Sequence, residues 1–297
     1  MDIGVALPTM ATGYSREVHH SWCAGIDAGP FSSISCGERI TYRNPEMMTT
    51  LASAASLTER VRVFVNLVVA PMHPPALVAK ELATLEMLSE GRVTLGVGVG
   101  GREHDYRAME SSYERRHSRL DIAVAEIRSI LAGSGPFGGA DPVGPDVVGG
   151  REMEVLAGAM GPKGLGRAAR WADGVSGFSL TADGTEIAEA AEAARRAWSI
   201  AGREDPPRLV SGCFYVLGVE EPQETLRRFT YDYLEIFGRG AARTLSEDAP
   251  VWNEERLATV LGEAAEAGID EFILVPGTVD PACLDATTSF CVSSLAP

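Results

Sequence analysis

The chain has 297 residues, 45% hydrophobic and 23% charged, enough apolar material for a large unstapled core and too much for a disordered chain. Asp and Glu number 41 against 26 for Lys and Arg, a formal net charge of −15, and such a surface repels a polyphosphate backbone, which argues against nucleic acid as the partner. Cys23, Cys36, Cys213, Cys283 and Cys291 are odd in number, scattered and without a CxxC pair. They suit reduced thiols in a cytoplasmic protein better than a disulfide framework or a zinc site. No basic segment precedes the first apolar run, and the longest apolar stretch, from Val61 to Pro71, is interrupted by Arg62 and Asn66. No signal peptide and no membrane span are expected.

In chain order, short apolar runs alternate with helical segments. The predicted strands are Ile3–Leu7, Phe31–Cys36, Val61–Val69, Val93–Val99, Met153–Gly158, Gly174–Phe178, Leu209–Leu217 and Glu271–Val275. Most are Val-, Ile- and Leu-rich without polar alternation, as parallel strands covered on both faces are. Asn44-Pro45-Glu46 reads as a helix start with Asn44 as the cap. Val78, Leu82 and Leu85 form one apolar helical stripe, with Gly91 as its stop. Leu120, Val124, Ile127 and Leu131 form another. Asn253 opens a helix carrying Leu257, Val260 and Ala264 and ending at Gly268. Eight such alternations predict one α/β domain over 1–297, a single (β/α)8 barrel of the TIM type, with an open doubly wound sheet as the rival fold. The stretch 133–150 holds seven glycines and three prolines, and is expected as an irregular loop, either a lid or a plain surface crossing.

Three groups of residues carry candidate chemistry. Gly96-Val97-Gly98-Val99-Gly100-Gly101 contains a formal GxGxxG, but the acid about 20 positions on, Asp121, falls on a helix rather than at a strand end, so the dinucleotide-binding reading fails its own context. What is left is a strand end where missing side chains either admit a flat ligand or serve tight packing. Gly158-Ala159-Met160-Gly161-Pro162-Lys163-Gly164 follows a strand and opens a helix. That is a physically sound phosphate cradle, with Lys163 and Arg167 as charge partners, or else a plain strand-to-helix turn. Glu38 and Arg39 stand just past the second strand, where barrel enzymes build active sites, although a rim salt bridge uses the same residues. His19 and His20 are adjacent and cannot form an i, i+4 metal pair, and His73, His104 and His117 each stand alone. No metal site, HExxH, GxSxG or Walker motif is present.

These segments, in this order, resemble the bacterial-luciferase-like class of flavin- and deazaflavin-dependent oxidoreductases. The resemblance is densest from Asn44 through NPEMMTTLASAASLTERVRVFVNLVVAPMHPPALVAKELATLEMLSEGRVTLGVGVGG and ERRHSRLD to Leu131, and it resumes at GPKGLGRAARWADGV. It implies a tricyclic ring at the C-terminal mouth of the barrel, supported by a bulge in the third strand at Asn66, Leu67, Val68 and Val69, with a cis bond between Leu67 and Val68. It implies a cofactor phosphate near Val99, Gly100 and Gly101 and near Gly158, Ala159, Met160, Gly161 and Lys163. Many relatives have an acid followed by histidine after the second strand where this chain has Glu38-Arg39. Arginine stabilises an anion but is a poor proton shuttle. Some flavin monooxygenases place an arginine on the phosphate where this chain has Val99, with Arg102 as a substitute nearby.

The resulting expectation is a coenzyme F-420 (deazaflavin) oxidoreductase moving hydride to or from a small organic substrate, with Glu38 and Arg39 polarising that substrate. An FMN monooxygenase supplied with reduced flavin by a flavin reductase is the alternative, and a non-catalytic ligand- or flavin-binding barrel is the alternative of another class. The resemblance also implies a homodimer through the second and third helices, where Met47, Met48, Leu51 and Ala55 are the expected apolar patch.

Overall fold

The computed structural model describes residues 1–294. Its elements are β1 (Asp2–Ala6), α1 (Arg16–Ala28), β2 (Ser33–Cys36), α2 (Met47–Leu57), β3 (Arg62–Val68), α3 (Pro75–Leu88), β4 (Val93–Gly98), α4 (Glu103–Ala108), α5 (Arg116–Leu131), β5 (Val155–Gly158), α6 (Gly161–Ala168), β6 (Gly174–Ser176), α7 (Gly184–Ile200), β7 (Arg208–Tyr215), α8 (Pro222–Leu234), α9 (Arg239–Glu247), α10 (Glu254–Glu266), β8 (Glu271–Pro276) and α11 (Pro281–Ser294). The strands follow one another in sequence order in a closed barrel, each at a position expected from its apolar run. Among the described residues no helix is long and apolar enough to cross a membrane, and no cluster of His, Cys, Asp and Glu has the makings of a metal site.

The chain divides into two compact units. The first comprises Met1–Ile34, Gly177–Glu192 and the residues from Leu209 onward. Here β8 pairs in parallel with both β1 and β7, and an aromatic group of Phe214, Phe229 and Tyr233 packs beside Val216 and Leu226. Glu271, buried at the start of β8, accepts hydrogen bonds from the hydroxyls of Ser32 and Ser33, each at 2.6 Å. Asn253 caps α10 by accepting from the Arg256 amide, as its sequence position predicts.

The second unit comprises Ser35–Ser176 and Ala193–Arg208, and contains β3, β4, β5 and β6 paired in parallel. Val78, Leu82 and Leu85 are buried on α3, whose end is closed by Gly91 in the left-handed region (φ 85°) with its amide on the Glu86 carbonyl. On α5 the buried stripe is Leu120, Val124, Ile127 and Ile130, one residue short of the expected Leu131. Two other expectations are corrected. The cap of α2 is Glu46, not Asn44: its carboxylate reaches the amides of both Met48 and Thr49, while the Asn44 side chain donates to the Pro45 carbonyl. Met47, Met48, Leu51 and Ala55 are buried within the chain, because four apolar residues on an eleven-residue helix are what seats it on its own core, and they offer no external patch. The stretch 133–150 is irregular, with two short 3-10 turns joining α5 to β5.

Candidate functional site

The second unit brings every candidate site residue into one body, at and beyond the C-terminal ends of β2 to β6. The centre is β3. Its pairing with β4 is regular to Val65, slips, and resumes at Val68 opposite Val97, which leaves Asn66 and Leu67 as the bulge. The cis peptide bond lies between Asn66 and Leu67, one residue before the expected place. The ladder explains the difference: Val68 is already back in register, so the irregular backbone is confined to the two residues ahead of it.

The bulge turns Leu67 onto the glycines of the neighbouring strands. A Cβ on Gly98 would stand 2.7 Å from Leu67 Cδ1, one on Gly96 would stand 3.3 Å from Leu67 Cβ, and one on Gly158 would collide with Leu67 Cδ2. Gly98 and Gly158 are register partners on β4 and β5, so the two close one gap that a single isobutyl group fills. Of the two uses open to the glycines in sequence, packing is the one realised, and Leu67, half-buried, presents the apolar surface in their stead. Asn66 is oriented from β6, where the Ser176 hydroxyl donates to its Oδ1 at 2.8 Å.

Glu38, in the segment after β2, has a side chain only 4% exposed, and both its oxygens are used. Oε2 accepts from the Val69 amide at 2.7 Å, and Oε1 pairs with His73 Nε2 at 2.7 Å. The carboxylate therefore fastens the backbone just past the bulge, and His73 fastens the carboxylate. Burial pushes the His73 imidazole down, but the hydrogen bond and charge of Glu38, with the charges of Glu81 and Glu46, outweigh it and lift the pKa above its ordinary value. His73 was read from sequence as standing alone, without a carboxylate partner. The pairing spans 35 residues and comes from the fold, so no local pattern announces it.

Arg39 is 7% exposed, its guanidinium 3.9 Å over the Tyr42 ring. Beyond β4 the chain is tied down by tyrosines. Tyr106 Oη donates to the Val99 carbonyl at 2.6 Å, Tyr113 Oη to the Gly101 carbonyl at 3.4 Å, and a Cβ on Gly100 would meet Val69 Cγ1 at 3.0 Å. Burial pushes the Tyr106 phenol up to about 12, so it stays a donor throughout the working range. Arg102, the expected substitute cation, is committed to Asp105 at 3.2 Å and to the Thr41 carbonyl at 3.2 Å.

The turn after β5 is more open. Gly161, Pro162 and Lys163 are exposed, Met160 is 87% exposed, and no side chain caps the first turn of α6. Gly161 sits at φ +70°, and a Cβ there would meet nothing within 4 Å. The leading amides of α6 are thus free to receive an anion. Arg167, expected beside this cradle, pairs instead with Asp121, which also accepts from Trp171 Nε1 at 3.1 Å. Asp121 itself lies within α5, in agreement with the rejection of the dinucleotide motif.

Against known proteins, the model of the luciferase-like monooxygenase family matches residues 19–285, and the chain belongs to that family. An uncharacterized protein of Mycobacterium tuberculosis (strain ATCC 25618 / H37Rv) is 33% identical over 88 residues, 30% of this chain and 31% of that protein, so the match spans about a third of the relative's length. Among solved structures, an F-420-dependent secondary alcohol dehydrogenase in complex with an F-420–acetone adduct aligns with a TM-score of 0.76 at 16% identity over 98% of both chains. The oxygenating constituent of 3,6-diketocamphane monooxygenase from the CAM plasmid of Pseudomonas putida, in complex with FMN, aligns with a TM-score of 0.72 at 15% identity, covering 100% of this chain and 98% of that one. At these identities the likeness is one of fold.

Proposed function

We propose that this chain is a coenzyme F-420-dependent oxidoreductase that moves hydride between the deazaflavin and a small organic substrate. The observation that carries the reading is the pairing of an apolar platform, Leu67 laid over Gly96, Gly98 and Gly158, with an uncapped and open helix start at Gly161 in the same unit. A flat ring needs the first and a phosphate needs the second. The preference for the deazaflavin rests on charge. A phosphomonoester such as that of FMN approaches two negative charges, whereas the phosphodiester of F-420 carries one. At the phosphate itself the open turn offers amides and Lys163, while Arg102 and Arg167 are held by Asp105 and Asp121. One negative charge suits that supply better than two.

In this reading the bound cofactor supplies the redox chemistry. Leu67 and Val68 back the ring, and Asn66 offers its amide to it. Glu38 keeps the bulge in place through the Val69 amide. Val99, Gly100 and Gly101, with Gly158, Ala159, Met160, Gly161 and Lys163, would hold the phosphate. Arg39, stacked on Tyr42, offsets negative charge on a substrate oxygen. A homodimer stays part of the proposal, with exposed apolar residues such as Leu77 and Leu88 on α3 replacing the buried residues of α2 as its contact. Sedimentation as a monomer at high concentration would remove it.

Equilibrium titration with oxidised F-420 and FMN, read by absorbance and fluorescence, tests the cofactor. F-420 is expected to bind the more tightly, and tighter binding of FMN would transfer the reading to a reduced-flavin monooxygenase. Binding of F-420 without turnover against alcohols, ketones or enones would favour a ligand-binding barrel.

A further inference from the structure

The hydrogen bond between Ser176 and Asn66 is unusual in where it runs. Asn66 is on β3 and Ser176 is the last residue of β6, and β4 and β5 lie between them in strand order. Neither the ladder nor a shared helix brings these side chains together. Ser176 is buried, and its hydroxyl donates to Asn66 Oδ1 at 2.8 Å. Asn66 is half-buried, and among the described residues its Nδ2 has no hydrogen-bond partner. A carboxamide with its oxygen held in this way has its two N–H bonds aimed in fixed directions. With the serine hydroxyl donating, as it does here, the carboxamide oxygen is taken up and Nδ2 is the end left for a ligand.

We propose that Ser176 is a positioning residue that locks the Asn66 carboxamide so that Nδ2 donates to a carbonyl oxygen of the bound ligand. The inference rests on the cofactor reading above and adds to it a direction: the ligand atom over the bulge is an acceptor. Two sources supply such an oxygen, a carbonyl of the deazaflavin or flavin ring and the carbonyl of an organic substrate. Asn66 belongs with the residues that touch the ligand, and Ser176 acts only through it.

The test uses the full chain with Asn66→Asp, Ser176→Ala and the double variant. Asn66→Asp keeps the shape but replaces the donor by an acceptor, and Ser176→Ala frees the carboxamide to turn. Each protein is titrated with oxidised F-420 and with FMN, the absorbance maximum of the bound ring is recorded, and unfolding is followed without ligand. If the acceptor belongs to the ring, Asn66→Asp weakens cofactor binding at least tenfold and moves the absorbance maximum. Ser176→Ala then weakens it three- to tenfold, and adds nothing in the Asn66→Asp background, because the serine has no second route to the ligand. If the acceptor belongs to the substrate, cofactor binding and absorbance stay as in the wild type and the KM for the carbonyl substrate rises by the same factors with kcat little changed. Either pattern supports the proposal. A lower Tm in Ser176→Ala with unchanged affinity, absorbance and KM makes the bond merely structural and overturns it. Additive effects in the double variant also overturn it. Failure of the wild type to bind either cofactor removes the cofactor reading and this inference together, whereas normal wild-type binding with indifferent variants removes the inference alone.

Discussion

The two ends of the strands in the second unit use their polar residues in opposite ways. At the N-terminal ends, polar groups are spent on one another. Arg92 donates five hydrogen bonds, to the carbonyls of Ala55, Thr58, Val61 and Ser89 and to the Thr58 hydroxyl, and so closes the end of α2. Glu86, its side chain fully buried, accepts from the Val93 amide and from Arg151. Asp173 accepts from the Val155 amide and from Arg128, and Glu154 holds Arg208 and the Thr94 hydroxyl. At the C-terminal ends the same strands finish in glycine, a bulge, an asparagine whose Nδ2 has no partner among the described residues and an uncapped helix start. One end is knit together by its own polar groups, and the other keeps a platform and a helix start open to a ligand. This is the division of labour expected of a barrel enzyme, and here it can be read residue by residue.

The sharpest way to break that comparison is at its N-terminal end. Arg92→Met should cost about 2–4 kcal/mol, since it strips several buried carbonyls of their donors at once. Thermal unfolding should register it, while the affinity of the folded protein for its cofactor stays where it was. An affinity loss as large as the loss of stability would mean that the two ends are not independent.

At the open end, Gly158→Val is expected to cost about 1–3 kcal/mol by overpacking against Leu67, and to weaken cofactor binding by moving the platform. Leu67→Ala in the same chain should recover much of the stability and none of the binding. Recovery of both would show that Leu67 fills space and does no more. A smaller effect is expected at Gly161. Gly161→Asn and Gly161→Asp share the strain of a positive φ, about 1 kcal/mol, which Asn and Asp tolerate better than other residues. Only the aspartate adds a charge beside the proposed phosphate, so it should bind cofactor several-fold more weakly than the asparagine variant, by a margin that shrinks as salt is added. Equal affinities would place the phosphate elsewhere.

What the sequence disclosed and what it withheld divide along the same line. Strand positions were legible because buried parallel strands leave continuous apolar runs, and the opening at Gly161 was legible because glycine, proline and an absent cap are local signals. The pairing of Glu38 with His73, the seat of Leu67 on three glycines, the exact place of the cis bond and the bond from Ser176 to Asn66 were not. The side-chain pairings join residues from different strands or loops, and the place of the cis bond follows from where β3 slips its register against β4. The buried face of α2 shows the opposite error: Met47, Met48, Leu51 and Ala55 have the right chemistry for an interface, and period alone does not say which surface an apolar stripe covers.

The smallest effect expected is also the one that tests how the open end is held. His73 supplies the imidazole of the Glu38 arrangement, and its pKa is raised above the ordinary value of about 6.5. A group whose pKa is higher in the folded protein stabilises it fully below the unfolded value, and that contribution disappears as pH rises through the folded value. The acids facing the imidazole are Glu38 from the segment after β2, Glu46 at the start of α2 and Glu81 on α3. All three remain in His73→Gln, so the comparison removes the imidazole charge together with its pull on Glu46 and Glu81. Glutamine can still donate to Glu38, so the difference isolates the charge and not the hydrogen bond. The wild type should therefore be the more stable protein at about pH 6, by less than about 1 kcal/mol for a pair that is buried but edged by solvent, and the gap should close as pH rises above the raised pKa. Thermal unfolding of the two proteins from pH 6 to pH 9 measures it. If the gap were the same at every pH, Glu38 would be held by shape and hydrogen bonding alone, and the bulge that carries Asn66 and Leu67 would owe nothing to the charge on His73.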